Sequence, residues 1–226
     1  MKYENDYFII YYNECDKEYL DEIVSHINDN LFSLIDFFNL DKLDKIEIIL
    51  YDDVDVFYNW YREVNKEEPM NQLVGCASIL FDKKVRVLSL KECQKVRAKI
   101  GIEDSIDDLS RLIMHEIIHL LHYQARGNEF AKRWVGEGIA IFLSGQYEKR
   151  GFATDAKELT GGVQKTSDGN VSYVNYYLIF KYLFATHDEE YIKKLVLGTR
   201  ELQNTEILKI YDDAKEWINK QNQNLR

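Results

Sequence analysis

Residues 105–126 read SIDDLSRLIMHEIIHLLHYQAR, and this stretch predicts one long helix around which the rest of the fold is organised. Ser105 is a favourable N-cap residue, and the acidic residues Asp107 and Asp108 suit the positive end of the helix dipole. Apolar residues recur every three or four positions, which is the pattern of a helix packed against a core. Gly127-Asn128 predicts the end of the helix.

The segments on either side differ in their hydrophobic pattern, and together they predict an α+β fold. We expect a small N-terminal mixed β-sheet with helices in residues 1–95, followed by a mainly helical half in residues 96–226, within a single unit over 1–226. Before the long helix, the predicted strands are Tyr7–Tyr12, Lys45–Tyr51, Leu73–Phe81 and Lys84–Leu90, and the predicted helices are Asp16–Asn39 and Val54–Val64. After it, helices are predicted at Glu129–Lys149, Tyr173–Thr186, Glu189–Leu197 and Thr205–Gln221, with a polar, Gly-rich loop at Arg150–Asn170.

Composition excludes several classes of partner. The formal net charge is −10 and no basic run is present, which argues against nucleic acid and anionic membrane surfaces. No apolar run approaches the roughly 20 residues that span a bilayer, and the polar N-terminus is not that of a signal peptide, so we expect a cytoplasmic protein. Cys15, Cys76 and Cys93 are widely spaced, and we expect them to be reduced and mostly buried. The sequence makes no prediction of oligomeric state.

The histidines of His115-Glu116-Ile117-Ile118-His119 are the clearest sign of chemistry. His115 and His119 are four residues apart, so both imidazoles leave one helix face, where two nitrogens can bind one zinc at about 2.0–2.1 Å. Glu116 lies about 100° around the helix, where it can reach a water without binding the metal itself. A chance match in a chain of this length is about a 1% event. We therefore expect one zinc ion per chain.

A catalytic zinc needs a third protein ligand, and the sequence offers three candidates. His122 shares the face but lies about 10 Å along the helix axis from His115, so it is better interpreted as a polar group satisfied elsewhere or supporting a ligand. His187 lies at a predicted helix end among acidic residues, where it would be solvated. Glu137 lies on the next predicted helix, in the sequence WVGEGIA, and is the preferred ligand.

Two glycines flank Glu137 in a segment that otherwise predicts helix. Gly136 and Gly138 each cost about 1 kcal/mol of helix stability relative to alanine. A close approach of backbone or substrate would explain their presence. The alternative for Glu137 itself is an ordinary exposed acid.

The motif, the seventeen residues after it (120–136), and Glu137 within WVGEGIA resemble the gluzincin metallopeptidases. The pattern is most similar to the peptidase-MA-like branch related to aminopeptidase N and thermolysin, although the gap is one or two residues shorter here. The metzincin pattern does not fit, because it needs glycine where His122 stands and histidine where Ala125 stands. The resemblance implies a zinc metallopeptidase with a peptide or protein substrate. It implies His115, His119 and Glu137 as metal ligands and Glu116 as the general base.

Residues 74–78, VGCAS, resemble the edge strand that pairs with substrate backbone in this family. In relatives of aminopeptidase N this strand carries a Glu that holds the substrate's α-amine, and Ser78 stands at that position. We therefore expect an endopeptidase whose substrate pairs along Leu73–Leu80. Loop acids are the alternative partners for an amine: Asp155, Glu158 and Asp168. The implied substrate-binding residues are Gly75, Cys76, Ala77 and Ser78.

Residues 173–183, YVNYYLIFKYL, resemble the helix whose Tyr stabilises the oxyanion. Tyr173 aligns with that Tyr, and Tyr176 is the second candidate. In thermolysin an Asp four residues after the ligand Glu orients a zinc-bound His, and Ile141 stands at that position here, so the sequence identifies no such partner. A stripe of aromatic core residues is the better interpretation of Tyr177, Phe180 and Phe184.

The expected activity is zinc-dependent peptide-bond hydrolysis. In it Glu116 takes a proton from the attacking water and Tyr173 helps to hold the oxyanion. The alternative is a catalytically weak or inactive zinc-binding regulatory or interaction protein on the same fold. The intact Glu116 argues against that alternative. A purely structural zinc site is disfavoured, because three protein ligands suit catalysis better than a closed site.

Overall fold

The computed structural model describes residues 1–69, 73–99, 101–147, 159 and 173–224. These residues form two compact units, Met1–Leu121 and His122–Arg226, and the division lies within the long helix α4 (Ile106–Ala125). It lies later in the chain than the subdomain boundary after residue 95 that the sequence suggests. No helix in the described ranges combines the length and the apolarity needed to cross a membrane.

The first unit is built on a small mixed sheet, as the sequence predicts, and the sheet has five strands where four were predicted. The sheet order is β1-β2-β3-β5-β4. The two inner pairs, β2 with β3 and β3 with β5, are parallel, and the two outer pairs are antiparallel. The strands are β1 (Lys2–Glu4), β2 (Phe8–Tyr11), β3 (Ile46–Tyr51), β4 (Gly75–Ala77) and β5 (Lys84–Leu88).

Helices supply the crossovers that parallel strands require. One crossover joins β2 to β3 and another leads from β3 towards β5. Two elements of this unit lie outside the sequence prediction, β1 and the helix that follows β5. The helical elements are a 3₁₀ helix (Glu14–Tyr19), α1 (Leu20–Phe37), α2 (Val54–Asn65), α3 (Leu90–Ala98) and α4.

The core of this unit follows from the periodicity of its elements. In β3 the residues Ile46, Ile48 and Leu50 are buried and alternate with partly exposed neighbours, as a half-buried strand requires. In α1 the buried residues recur at helical spacing, with Ile23 and Ile27 completely buried. Sheet and helix therefore each bury one apolar face.

Both ends of α4 are fixed by local hydrogen bonds. The Ser105 backbone N–H donates to Asp108 Oδ2 at 2.8 Å, and the Asp108 N–H donates to Ser105 Oγ at 3.2 Å, which forms a capping box. At the other end Gly127 and Asn128 adopt φ of 68° and 67°, and the Asn128 N–H donates to the Tyr123 carbonyl at 3.0 Å. The predicted start and end of this helix are confirmed.

The second unit consists of helices in its described part. Its core includes Ile141, Tyr177, Leu178 and Ile218. Of the predicted aromatic core stripe, Tyr177 and Phe180 are confirmed as buried, whereas Phe184 is half-buried and stacks on Phe142 at 4.3 Å. The helix predicted over Glu129–Lys149 is shorter, and apart from Leu159 the predicted loop Arg150–Asn170 lies outside the described residues. The helices are α5 (Arg133–Leu143), α6 (Tyr173–Thr186), α7 (Glu189–Leu197) and α8 (Asn204–Asn224).

Candidate metal centre

The two motif histidines face each other through the nitrogens that a metal would use. His115 Nε2 lies 3.0 Å from His119 Nε2, and the ring centroids are 4.6 Å apart. Two nitrogens bound tetrahedrally to one zinc at about 2.0–2.1 Å would be about 3.3–3.4 Å apart. The pair therefore needs a shift of only a few tenths of an ångström to bind one ion. His115 is buried and His119 is partly buried.

Glu137 completes the set of ligand atoms. One atom from each of His115, His119 and Glu137 lies within 4.8 Å of the other two. Two imidazole nitrogens and one carboxylate oxygen are donors of the kind that bind metal ions in proteins. The three residues can therefore hold a metal ion.

Glu116 is buried against the edge strand. Only 7% of its surface is exposed. A Cβ atom added to Gly75 of β4 would lie 3.3 Å from Glu116 Oε1 and 3.3 Å from Leu112 Cδ1. The backbone of β4 therefore passes directly over the glutamate, and glycine permits this approach. The sequence connected this strand with the site only through the family resemblance.

Strand β4 leaves one edge open within the described part of the sheet, because it pairs there only with β5. The Leu88 N–H donates to the Val74 carbonyl at 2.8 Å, and the Ser78 N–H donates to the Lys84 carbonyl at 2.8 Å. Since hydrogen-bonding direction alternates along an antiparallel strand, the backbone groups of Gly75 and Ala77 point away from β5, and of these the Ala77 carbonyl accepts the Ile79 N–H at 2.9 Å. The strand is shorter than the predicted Leu73–Phe81, since residues 79–82 form a turn.

Ser78 belongs to the turn that follows β4. Its hydroxyl hydrogen-bonds with Asp82 and Arg86, and the residue is only 6% exposed. The Arg86 guanidinium pairs with Asp82 at 2.5 Å and lies 4.3 Å from the Trp60 ring centroid. Burial alone would raise the pKa of Asp82, but hydrogen bonds from Arg86 and Ser78 outweigh it and hold that pKa below its ordinary value. Neighbouring Cys76 is half-buried and on the other face of the strand from Gly75.

The other two candidate ligands have different roles. His122 is buried, and its Nε2 lies 2.8 Å from the Val196 carbonyl oxygen, which can only accept, so this nitrogen carries the proton. Arg126 donates to the same carbonyl at 2.9 Å. His187 is half-buried against the Tyr191 ring, 4.4 Å between centroids. Within the described ranges, neither histidine belongs to a cluster of three metal-binding side chains.

Tyr173 lies beside a cation that sequence reasoning missed. Arg133 Nη2 lies 3.5 Å from the Tyr173 hydroxyl, a long hydrogen bond. Burial would lower the pKa of the Arg133 guanidinium, but the hydrogen bond with Tyr173 and the charge of Glu137 raise it overall. Arg133 could have been found by its position four residues before Glu137, on the same face of α5. Tyr176, the second candidate, is only 1% exposed.

The three thiols are reduced, as expected, but they are not mostly buried. Only Cys93 is buried, whereas Cys76 is half-buried and Cys15 is exposed. Burial raises the pKa of Cys93 to about 12. Cys15 lies at the start of the 3₁₀ helix Glu14–Tyr19. The sequence shows no apolar periodicity around this short helix, so its exposed face could not be predicted.

Comparisons of the chain with models of protein families, with curated proteins and with solved structures found no match. The gluzincin resemblance therefore stays a prediction that rests on its motif residues. Two observations stand beside it: the spacing of the three ligand atoms, and the approach of Gly75 to Glu116.

Proposed function

We propose that this chain is a zinc-dependent endopeptidase. The observation that carries the proposal is the group of His115, His119 and Glu137, with Glu116 next to the first histidine in sequence. Zinc bound by those three residues would supply a Lewis acid that activates water and polarises the scissile carbonyl. Proton transfer, substrate pairing and oxyanion binding would be carried out by side chains and backbone of the chain itself.

Glu116 is the proposed general base. It takes a proton from the attacking water and passes it to the leaving amine. Its burial keeps competing solvent away from the carboxylate, and the close approach of β4 at Gly75 puts it beside the proposed substrate edge. This position is what a base needs if the substrate is an extended chain lying along the strand.

The open edge of β4 supports a peptide substrate. The backbone N–H and C=O groups of Gly75 and the N–H of Ala77 are directed to that edge, where an extended chain can pair by β-addition, whereas the Ala77 carbonyl already accepts the Ile79 N–H at 2.9 Å. Such pairing recognises backbone, not one particular side chain. It therefore favours substrates with extended chain on at least one side of the scissile bond.

The charges near the edge strand favour an internal bond over a terminal one. An aminopeptidase must hold a charged α-amine, and leaving that charge unpaired at a buried site is costly. Ser78 stands where related aminopeptidases carry a Glu, and its hydroxyl is used within the turn. Asp82 is already paired with Arg86. The loop acids named above lie outside the described residues.

Tyr173 is the proposed hydrogen-bond donor to the oxyanion. Tyr173 is half-buried whereas Tyr176 is almost completely buried, and Arg133 lies beside the Tyr173 hydroxyl. A guanidinium at this position would favour negative charge developing near the hydroxyl. The arrangement provides a donor and a cation on the same side as Glu137, one helical turn from it along α5.

The deciding experiment combines metal analysis with cleavage of a peptide library by the wild type and Glu116→Gln. We expect about one zinc per chain in both proteins, and a loss of roughly 10²–10⁴-fold in cleavage rate for the variant. Glu129→Gln, at an exposed position, is the matched control and should cleave like the wild type. Equal cleavage by Glu116→Gln would refute the role of the base. A wild type that holds zinc but cleaves nothing would favour the non-catalytic alternative.

The preference for internal bonds has its own test. An internally quenched peptide with blocked ends is compared with a free aminoacyl anilide. We expect cleavage of the blocked peptide and little turnover of the anilide. Rapid turnover of the anilide without a cut in the blocked peptide would identify an aminopeptidase instead.

A further inference from the structure

Arg133 is a cation at a position that the stability of its own helix does not explain. It is the first residue of α5, Lys132 is the N-cap residue before it, and the first turn of the helix contains no acidic side chain. Positive charges at the start of a helix are unfavourable, because the helix dipole places a partial positive charge there. Glu137 follows four residues later on the same face of the helix. A role beside Glu137 would account for Arg133.

The Arg133 side chain is exposed and makes one long hydrogen bond, from Nη2 to the Tyr173 hydroxyl at 3.5 Å. In the part of the chain that the structure describes, no carboxylate lies within ion-pair distance of its guanidinium. The charge of Glu137 acts on this guanidinium without forming such a pair. Since a guanidinium carries five N–H donors, Arg133 can bind a further acceptor while it keeps its contact with Tyr173.

The neighbouring cation, Lys132, faces a different part of the same unit. Its Nζ lies 3.5 Å from the Leu202 carbonyl oxygen, and its side chain lines a cavity with residues 201–205 at the start of α8. Lys132 and Arg133 are therefore adjacent in sequence and carry the same charge, but only Arg133 lies beside Tyr173. This difference provides a matched pair for an experiment.

A carboxylate is the ligand that suits the Arg133 guanidinium. The planar fork of a guanidinium donates two parallel hydrogen bonds to the two oxygens of a carboxylate. The Tyr173 hydroxyl accepts another of the N–H groups, which leaves its own proton available for the oxyanion. In a peptide, carboxylates occur on Asp and Glu side chains and at the C-terminus. Zinc bound by the proposed ligands would offset the charge of Glu137, which would otherwise oppose an anion nearby.

We propose that Arg133 binds a carboxylate of the peptide substrate one to three residues from the scissile bond. Four helical residues separate Arg133 from Glu137 by about 6 Å along the axis, and an extended peptide advances about 3.3 Å per residue. The inference rests on the proposed function and names the substrate preference of the same site. An acidic side chain is the favoured source of the carboxylate, because the proposed enzyme cuts internal bonds. The chain terminus is the other source.

The test measures binding separately from hydrolysis, with zinc-loaded Glu116→Gln as the starting protein. Labelled peptides with both ends blocked carry Glu or Gln at each of the three positions on either side of a fixed central bond. A second series has no acidic residue and ends in a free carboxylate or an amide. We expect Glu at one position to bind about 5–30-fold more tightly than Gln, and the preference to shrink as salt is added. Since a chain of formal charge −10 attracts basic peptides at long range, a preference for Glu has to come from a local cation.

Two variants of Arg133 and one of its neighbour locate that cation. Arg133→Gln should remove the preference for Glu, and Arg133→Lys should lower it, because an ammonium cannot form the paired hydrogen bonds of a guanidinium. Lys132→Gln removes the same charge one residue earlier and should keep the full preference. The ratio of Glu to Gln affinity is compared within each protein, so a general loss of peptide affinity does not affect it. Zinc content and the thermal midpoint are measured for every variant.

The outcomes separate this inference from the proposed function. If both Arg133 variants keep the full preference, or if the protein with Arg133 intact shows none in either peptide series, the assignment of Arg133 is wrong while the peptidase proposal stands. A preference that is confined to free C-termini and is lost in Arg133→Gln would support the carboxylate site and identify the chain terminus as its source. If the wild type neither binds nor cleaves any peptide, both proposals fail.

Discussion

Replacing Gly138 by alanine tests how closely α5 packs on α6. A Cβ atom at this position would overlap Cδ2 of Phe180, lie 2.6 Å from Cε2 of the same ring, and lie 3.1 Å from the Tyr176 carbonyl oxygen. Phe180 is completely buried, with its ring centroid 6.1 Å from that of Trp134. The carbonyl belongs to the helix backbone. Neither neighbour can move away at low cost.

The expected magnitude is a balance of two effects. Alanine gains about 1 kcal/mol over glycine within a helix. Overpacking of a dense core typically costs about 1–3 kcal/mol, and contacts on two sides place Gly138→Ala at the upper end. The variant should therefore be less stable by about 1–2 kcal/mol. For a chain of this length that lowers the melting temperature by about 2–8 °C.

Gly136→Ala is the matched control on the same helix. Its added Cβ would meet only the Ala131 Cβ, at 4.0 Å, so the gain in helix propensity is not opposed. We expect it to raise stability by about 0.5–1 kcal/mol. Unfolding by heat or urea is measured with a chelator present, so that metal binding contributes nothing to the comparison. If Gly138→Ala proves as stable as Gly136→Ala, the close packing of α5 on α6 at this position is refuted.

Three further results are expected. A double variant, His115→Ala with His119→Ala, should contain no zinc by metal analysis. His122→Ala should keep its zinc and lose about 1–3 kcal/mol of stability, since it removes a buried hydrogen bond. Loss of zinc from His122→Ala would contradict the assignment of His122 as a residue that does not bind the metal. Tyr173→Phe should lower kcat by about 10²–10³-fold with little change in KM or melting temperature, and a larger effect on KM than on kcat would argue against an oxyanion role. At about pH 8 the Cys93 thiol should resist iodoacetamide in the folded protein and react only after unfolding, because burial raises its pKa to about 12. Mass spectrometry identifies the labelled cysteine, and rapid labelling of Cys93 in the folded protein would contradict its burial.

The fold class could be predicted because the larger elements carry strong periodic signals. In β3 the apolar residues that alternate in the sequence are the buried ones, and in α1 the apolar residues at helical spacing are the buried ones. Helix α3 was missed because only Leu90, Glu92 and Cys93 of its nine residues are buried, which leaves no apolar stripe to read. Its start did carry a signal: the Ser89 side chain accepts the Glu92 N–H, as Ser followed three residues later by Glu predicts.

The length of β4 could not be predicted from local pattern. Residues 73–81 are rich in β-forming apolar types, so they predict a long strand. The strand ends at Ala77 because Asp82 and Arg86 bind the Ser78 hydroxyl and fix a turn there. Arg86 is itself placed by β5 and by Trp60 of α2. A contact network of this kind depends on tertiary structure, which one sequence does not reveal.

Part of the candidate site could also be predicted from the sequence, and part depends on tertiary structure. The pairing of His115 with His119 follows from helical spacing alone, and Glu137 was the preferred third ligand. The two glycines beside Glu137 could not be told apart in sequence. Only Gly138 is packed closely, against α6, while Gly136 has open space around it. Their difference depends on the neighbouring helix and not on α5 itself.

Gly75 and Glu116 lie close enough that an added Cβ at Gly75 would be 3.3 Å from Glu116 Oε1, and both belong to the same unit. Any side chain at position 75 would press on Glu116 Oε1 and on Leu112, so glycine there serves the position of the carboxylate as well as the path of the strand. The Ser78 turn fixes the far end of the same strand. Since both contacts lie within Met1–Leu121, packing of the chain itself sets the distance between a backbone paired on β4 and the Glu116 carboxylate. As the proposed base, Glu116 would therefore be in place before a substrate binds, which is the condition under which general-base catalysis is effective.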